Sequence, residues 1–373
     1  MRSIAFHLNC LTHGGTERVV SNLANRFAQE GYRVYVLTEW TDEDEFALDE
    51  RVKRIHVGLK PEDEKRGRVA KFLRRVRYLR EFLDGEKPEL LVAFMRRANY
   101  RALMATMRNR IPSIVCVRID PAQTYNTFTD RLQIRWLFPR AAGAVFQTEE
   151  QRAYFRPWLQ ENSRIILNPI NEKYIGIPAP DMRDKAVVHA ARLVDFKDQP
   201  TLVRAFLKVH ERHPDYCLRI YGPDSGDGTK ELLEELIREN SAQEWILLMG
   251  GCDTLEKELP RGEVFVSSSL FEGLPNAVME AMALGLPVVS TDCPCGGPAM
   301  IIRDGENGLL VPVSDEEALA AAIDRLIEDR PFAEKLGQEA RKISEVAGTE
   351  AVYRQWKGYF EEVIEREGKN TDR

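Results

Sequence analysis

Two carboxylates eight residues apart, Glu272 and Glu280, flank a helix start in the string SSLFEGLPNAVMEAMALGLPVVST (268–291). A strand ends at Ser267–Ser269, and Phe271-Glu272-Gly273-Leu274-Pro275 then opens a helix with proline in its first turn. The free N–H groups and partial positive charge of such a helix start suit a phosphate. Glu272 would stand just outside that start and Glu280 within the helix. One carboxylate then reaches a sugar hydroxyl while the other accepts both hydroxyls of a ribose. In isolation, the same pair reads as a solvated loop glutamate beside a surface helix glutamate.

The elements that must hold these groups alternate along all 373 residues. β-rich runs recur at 3–8, 34–39, 54–57, 90–94, 113–117, 144–148 and 164–167. A second series lies at 186–191, 217–221, 245–249, 264–268, 287–291 and 309–312, with helical patterns between most of them. Alternating strands and helices predict parallel sheets covered on both faces. The series occurs twice, separated by Asn168-Pro169 and a proline-rich stretch at 175–180. The expected fold class is therefore α/β with two Rossmann-like domains facing across a cleft, where the carboxyl ends of the strands bind ligand.

Composition agrees with an ordinary globular chain, 43% hydrophobic and 30% charged. No apolar run approaches the ~20 residues of a spanning helix, and the N-terminus lacks the h-region of a secretory signal. The six cysteines form no metal-binding pattern and read as reduced thiols of a cytoplasmic protein. Charge is uneven: residues 1–168 carry 29 Lys/Arg against 21 Asp/Glu, the remainder 24 against 38, which gives the net −6. A basic first half points to an anionic surface or substrate. No zinc finger, RNP or basic-zipper pattern accompanies it, so no nucleic acid is expected.

The block around Glu272 and Glu280 resembles the E-x7-E block of the retaining family 4 glycosyltransferases, two-domain GT-B enzymes that use nucleotide sugars. The resemblance implies that Glu272 contacts the donor sugar and Glu280 the donor ribose. It brings the amides of Gly273, Leu274 and Asn276 to the sugar–diphosphate. Other blocks agree in order and spacing. HAARLVDFKDQPTLVRAF (189–206) is similar to the family's strand–Arg–Lys segment, whose Arg192 and Lys197 clamp the diphosphate as its charge builds. LTHGGTERVVSNLA (11–24) resembles the N-terminal glycine loop, in which Gly14 and Gly15 let backbone approach a phosphate at a helix start. RDGENGLLVP (303–312) matches a structural turn, and Gly250-Gly251-Cys252 lies where relatives contact the base through backbone. One place departs from the pattern. Where many members carry a histidine, this chain reads Val117-Arg118-Ile119-Asp120-Pro121. Arg118 steadies a sugar or acceptor phosphate that Asp120 orients, or the two pair and shape the loop.

The resemblance thus implies a metal-independent retaining transferase with a UDP-sugar donor and no cofactor. It predicts an acceptor-binding domain over 1–168, a nucleotide-sugar-binding domain over 169–346, and a helix over 347–366 crossing back to the first. On that helix Val352, Trp356, Tyr359 and Val363 share one apolar face, and the last six residues fray. The hydrolysing UDP-sugar 2-epimerases, and a non-catalytic nucleotide-sugar-binding protein, are alternatives of the same architecture.

Asp42-Glu43-Asp44 has the D-x-D form of a metal site but lies in an acidic run typical of solvated loops. His7 and His189 sit within strands and read as core or cleft-lining residues. Residues 65–80 hold eight basic and no acidic side chains. On a helix, Val69, Phe72, Leu73, Val76 and Leu79 form an apolar stripe beside Lys71, Arg74, Arg75 and Arg77. The stripe is expected in the core, and the basic face is a candidate for an anionic membrane surface. A glycan or lipid-linked acceptor at the inner membrane face follows as the expected partner.

Overall fold

A computed structural model describes residues 2–371 apart from His13, Glu43 and Asp181. The chain divides into two compact units, 1–168 together with 352–373, and 169–351.

The first unit carries strands β1 (Ser3–His7), β2 (Arg33–Thr38), β3 (Lys53–His56), β4 (Leu90–Phe94), β5 (Ser113–Cys116), β6 (Gly143–Phe146) and β7 (Ser163–Ile165). Its helices are α1 (Gly15–Gln29), α2 (Arg68–Glu86), α3 (Arg96–Ala105), α4 (Pro121–Thr124), α5 (Phe128–Leu137), α6 (Glu149–Ala153) and α7 (Pro157–Glu161). All pairings are parallel in the order β3-β2-β1-β4-β5-β6-β7. Every residue of β4 is buried, as expected for a strand covered on both faces. Helix α1 turns Val19, Val20, Leu23 and Phe27 inward. It ends at Gly31, whose φ of 85° sets a Schellman closure: Gly31 N–H donates to Ala28 O and Tyr32 N–H to Phe27 O, both at 3.1 Å.

The second unit holds β8 (Ala186–Ala190), β9 (Cys217–Tyr221), β10 (Ile246–Gly250), β11 (Val264–Ser267), β12 (Val288–Thr291) and β13 (Leu309–Val311). Its helices are α8 (Gln199–Arg212), α9 (Thr229–Glu239), α10 (Leu255–Glu258), α11 (Asn276–Ala283), α12 (Gly297–Ile301), α13 (Glu316–Glu328), α14 (Arg330–Ala340) and α15 (Ile343–Ala347). The sheet order is β10-β9-β8-β11-β12-β13, again all parallel. In each sheet the strand order reverses at the centre, between β1 and β4 and between β8 and β11. Open α/β sheets bind ligand at that reversal, outside the carboxyl ends of the strands.

The last helix, α16 (Thr349–Thr371), returns the chain to the first unit's core. Val352, Trp356, Tyr359 and Val363 are all buried, with Trp356 5.9 Å from Phe94 and Phe360 6.2 Å from Phe6 between ring centroids. The Tyr359 hydroxyl donates to Asn162 O at 2.8 Å and accepts from Ala144 N–H at 3.0 Å. Gly143 makes room for it, since a Cβ there would lie 3.0 Å from Tyr359 Cζ. The helix continues to Thr371, through most of the six residues expected to fray; Asp372 and Arg373 lie outside the described residues.

Helix α2 departs from the expected packing. Val76, Leu79 and Leu83 are buried and Phe72 is half-buried, but Val69 and Leu73 face solvent. Most of its cations have partners. Arg75 pairs with Glu39 at 2.9 Å, Arg74 with Asp63 at 3.4 Å, Lys71 with Glu64 and Arg77 with Glu81, both at 2.7 Å. Arg80 donates to the carbonyls of Met104 and Ala105. Among the described residues, no helix is long and apolar enough to cross a membrane.

Candidate functional site

The two strands at the centre of the second sheet, β8 and β11, release loops that hold the sequence-predicted groups. After β8 come Arg192, a turn at Asp195–Lys197, and Asp198, whose φ of 47° is left-handed. After β11 come Ser268 to Pro275. Backbone and side chains fasten the two loops together. Leu270 N–H donates to Phe196 O at 2.8 Å, and Ser268 Oγ donates to Lys197 O at 2.9 Å. Phe196 and Phe271 stack with centroids 4.9 Å apart. This brings the Lys197 ammonium onto Glu272 Oε1, which also accepts from Ser269 Oγ at 2.9 Å. Thr291, at the end of β12, donates to Ser269 O at 2.6 Å and ties the third strand into the same loop. Both charged side chains keep a small exposed fraction, 18% for Lys197 and 12% for Glu272. A cation and an acceptor thus stand together at the strand-order reversal and remain reachable.

Arg192 is exposed and forms no ion pair among the described residues; its carbonyl accepts from Gln199 Nε2 at 2.9 Å. The neighbouring crossing requires glycine. A Cβ on Gly222 would sit 2.6 Å from the carbonyl carbon of Ala191 and 3.2 Å from Arg192 N, and its φ is 154°. Gly222 N–H donates to Gly250 O at 2.8 Å, which links the end of β9 to the end of β10 ahead of the half-buried Cys252.

Pro275 takes the N-cap position of α11 rather than its first turn, so the helix opens at Asn276 with no side-chain cap. Gly273 and Leu274 are buried, Asn276 is half-buried and Glu280 is 9% exposed within the helix. The loop is also braced from outside. A Cβ on Gly297, at the start of α12, would lie 2.9 Å from the carbonyl carbon of Gly273 and 3.2 Å from Pro275 Cδ. Below it, His189 is buried in β8 and its Nδ1–H donates to Val266 O at 2.8 Å. Burial holds its pKa down to about 4, so the ring is neutral there.

In the first unit, Gly15 is the first residue of α1, and Gly14 caps it in extended backbone. Arg118 lies with its guanidinium carbon 5.3 Å from the ring centroids of both Phe94 and Trp356. Its Nη1 donates at 3.2 Å to Asn168 Oδ1, which also receives Gln147 Nε2 at 2.8 Å. Burial lowers its pKa to about 10, which leaves it charged. Asp120 Oδ1 accepts from Ala122 N–H at 2.9 Å and caps α4. Among the described residues, Arg118 and Asp120 form no ion pair with each other, so the loop is not shaped by that pair.

Sequence reasoning missed Ser268, Ser269, Thr291, Gln199 and the two constraining glycines. It also missed a buried charge cluster at the carboxyl ends of β1 and β2. There Glu39 meets Arg75 and Arg101, and His7 Nε2 lies 3.8 Å from it. Burial and the nearby Arg101 charge push the His7 pKa down to about 3. In the acidic run, Glu45 pairs with Arg54, while Glu43 lies outside the described residues.

Comparison with known proteins covers the same two halves. The family model described as Glycosyl transferases group 1 matches residues 171–343, and the Glycosyl transferase 4-like domain matches residues 14–171. An exopolysaccharide phosphotransferase from Streptomyces coelicolor is 31% identical over 277 residues; the match takes in 71% of this chain but only 28% of that protein's length. A Campylobacter jejuni protein is 29% identical over 63% of this chain and 66% of its own. Its name is N-acetylgalactosamine-N,N'-diacetylbacillosaminyl-diphospho-undecaprenol 4-alpha-N-acetylgalactosaminyltransferase. Among solved structures, Anabaena HepE in complex with UDP and glucose aligns with a TM-score of 0.79 and 16% identity, over 97% of this chain and all of that one.

Proposed function

From the premise that this chain belongs to the GT-B glycosyltransferases of the family 4 type, we propose that it is a retaining enzyme using a UDP-sugar. The acceptor in this reading is a glycan or lipid-linked intermediate of envelope polysaccharide synthesis. The observation that carries the donor assignment is the Lys197–Glu272 contact at the strand-order reversal of the second sheet. Lys197 and the unpaired Arg192 take the diphosphate, Glu272 takes a sugar hydroxyl, and Glu280 takes the ribose hydroxyls. The amides of Gly273, Leu274 and Asn276 face the sugar–diphosphate, and the backbone at Cys252 faces the base.

In the step itself, the bond from the sugar's anomeric carbon to the diphosphate oxygen breaks. A bond from the acceptor oxygen forms on the same face, and the acceptor proton passes to the departing phosphate. Lys197 and Arg192 stabilise the charge that grows on that phosphate. Glu272 positions the sugar and forms no covalent intermediate. Arg118 and Asp120, both engaged by groups of their own unit, fix the loop after β5. The donor reading needs no metal ion.

Supporting it are a relative named for a diphospho-undecaprenol-linked sugar acceptor and a fold neighbour solved with UDP and glucose. The test is a thermal-shift panel with UDP, GDP, ADP and CMP, with and without EDTA. A nucleotide that binds only the folded state raises apparent stability by RT ln(1 + [L]/Kd). A UDP-selective shift that survives EDTA is the expected result. A shift with another nucleotide changes the donor, a shift lost in EDTA contradicts metal independence, and no shift with any of them rejects the donor site.

A further inference from the structure

Helix α5 leaves three large apolar side chains in solvent along one stripe. Phe128, Leu132 and Trp136 recur every fourth residue and are 80%, 48% and 60% exposed. Single exposed apolar residues are common on soluble proteins; three in register on a ten-residue helix are not. At 100° per residue these three, with Arg131 and Arg135, fall within an arc of about 140°. Both arginines are exposed, and neither forms an ion pair among the described residues. The only carboxylate on the helix, Asp130, is buried on the opposite side.

The helix is also held firmly. Arg96 grips Asp130 through two bonds of 2.7 and 2.8 Å, Tyr100 donates to the same carboxylate at 2.9 Å, and Thr127 completes a capping box. Ile134 and Leu137 pack into the core beside Phe138. Among the described residues of this unit, none covers the outer stripe. More aromatic surface borders it. Tyr154, 40% exposed, donates to Tyr125 O just ahead of α5, and the half-exposed Trp158 lines one cavity with Arg140.

We infer that α5 is the surface by which this protein seats on an anionic membrane. Aromatic and aliphatic side chains enter the headgroup region while Arg131 and Arg135 meet lipid phosphates. Charge selects this occupant. The outward arc carries two free cations and no acid, whereas the basic face of α2 has most of its charge answered by Asp63, Glu64, Glu39 and Glu81. The inference does not depend on the donor assignment, so each can fail separately.

The test is co-sedimentation of the full chain with vesicles of phosphatidylcholine alone and of phosphatidylcholine with phosphatidylglycerol. Binding is expected only with the anionic lipid and should weaken with salt. R131E/R135E should lower the partition coefficient about 30-fold or more, at roughly fivefold per cation. F128S/W136S should lower it by about tenfold or more, while K65E/R68E, at and just ahead of the start of α2, leaves it within about twofold. Circular dichroism and Tm of each variant, expected to match the wild type because all these side chains are exposed, verify folding. No binding by the wild type overturns the inference. So does binding that survives both α5 variants, binding lost through K65E/R68E, or a wild-type dimer that F128S/W136S converts to monomer, which would make the stripe a self-association surface.

Discussion

Substituting alanine for Gly297 tests how the site loop is held. The backbone there is not left-handed, so the cost is steric alone. The new methyl would start 2.9 Å from the carbonyl carbon of Gly273, overlap its oxygen, and lie 3.2 Å from Pro275 Cδ. Restoring ordinary contact distances requires a retreat of about 1 Å. The displaced peptide follows directly on Glu272, whose contact with Lys197 defines the site. A 1 Å misplacement of a positioning group costs roughly 10²-fold in rate, and overpacking costs about 1–3 kcal/mol. For a unit of this size that lowers Tm by about 2–12 °C. G297A should therefore remain folded by circular dichroism, lose a few degrees of Tm, and show kcat/KM for its best donor reduced about 10²-fold by UDP release. Wild-type turnover with wild-type Tm would refute the bracing role. Lost turnover with unchanged Tm would show that the contact is not tight.

Trp356→Ala removes the largest fully buried side chain of the first unit's core and should cost about 3–5 kcal/mol in urea unfolding; a loss under about 1 kcal/mol would mean that α16 is not integral to that core. Acid should destabilise the protein before its carboxylates titrate. His7 and His189 are neutral in the fold down to about pH 3 and 4, whereas histidine in the unfolded chain takes a proton near pH 6.5. Their neutral forms contribute full stability above about pH 7. That contribution falls between pH 6.5 and 4 by up to about 1.4 kcal/mol per pH unit for each histidine. Tm at pH 5 should lie below Tm at pH 7.5, and a flat profile would contradict the burial of both rings.

What a single sequence could disclose follows from how local each feature is. Helix α1 and its glycine closure, and the apolar face of α16, depend on neighbours three or four residues apart, so periodicity reveals them. The Glu272 and Lys197 loops were legible as residue types, yet the bonds that join them run from Ser268, Ser269 and Thr291, serines and a threonine with nothing local to mark them. Gly222 and Gly297 matter because distant backbone passes close to them, which no spacing records. On α2, periodicity marks an apolar stripe but not how much of it the unit covers, and Val69 and Leu73 face solvent. On α5, Phe128, Leu132 and Trp136 have the spacing of a core stripe and yet form the outward face. Arg118 and Asp120 invite pairing by proximity, but Phe94, Trp356 and the amide of Ala122 engage them instead.

The most direct measurement is calorimetric titration of UDP, in EDTA, into the wild type, Lys197→Ala and Glu280→Ala. The account predicts binding to the wild type, and affinity lowered by about tenfold or more in each variant, since each loses a charged hydrogen bond. Both variants should remain folded by circular dichroism. Equal affinity in all three proteins would place the nucleotide away from the carboxyl ends of β8 and β11 and contradict the account.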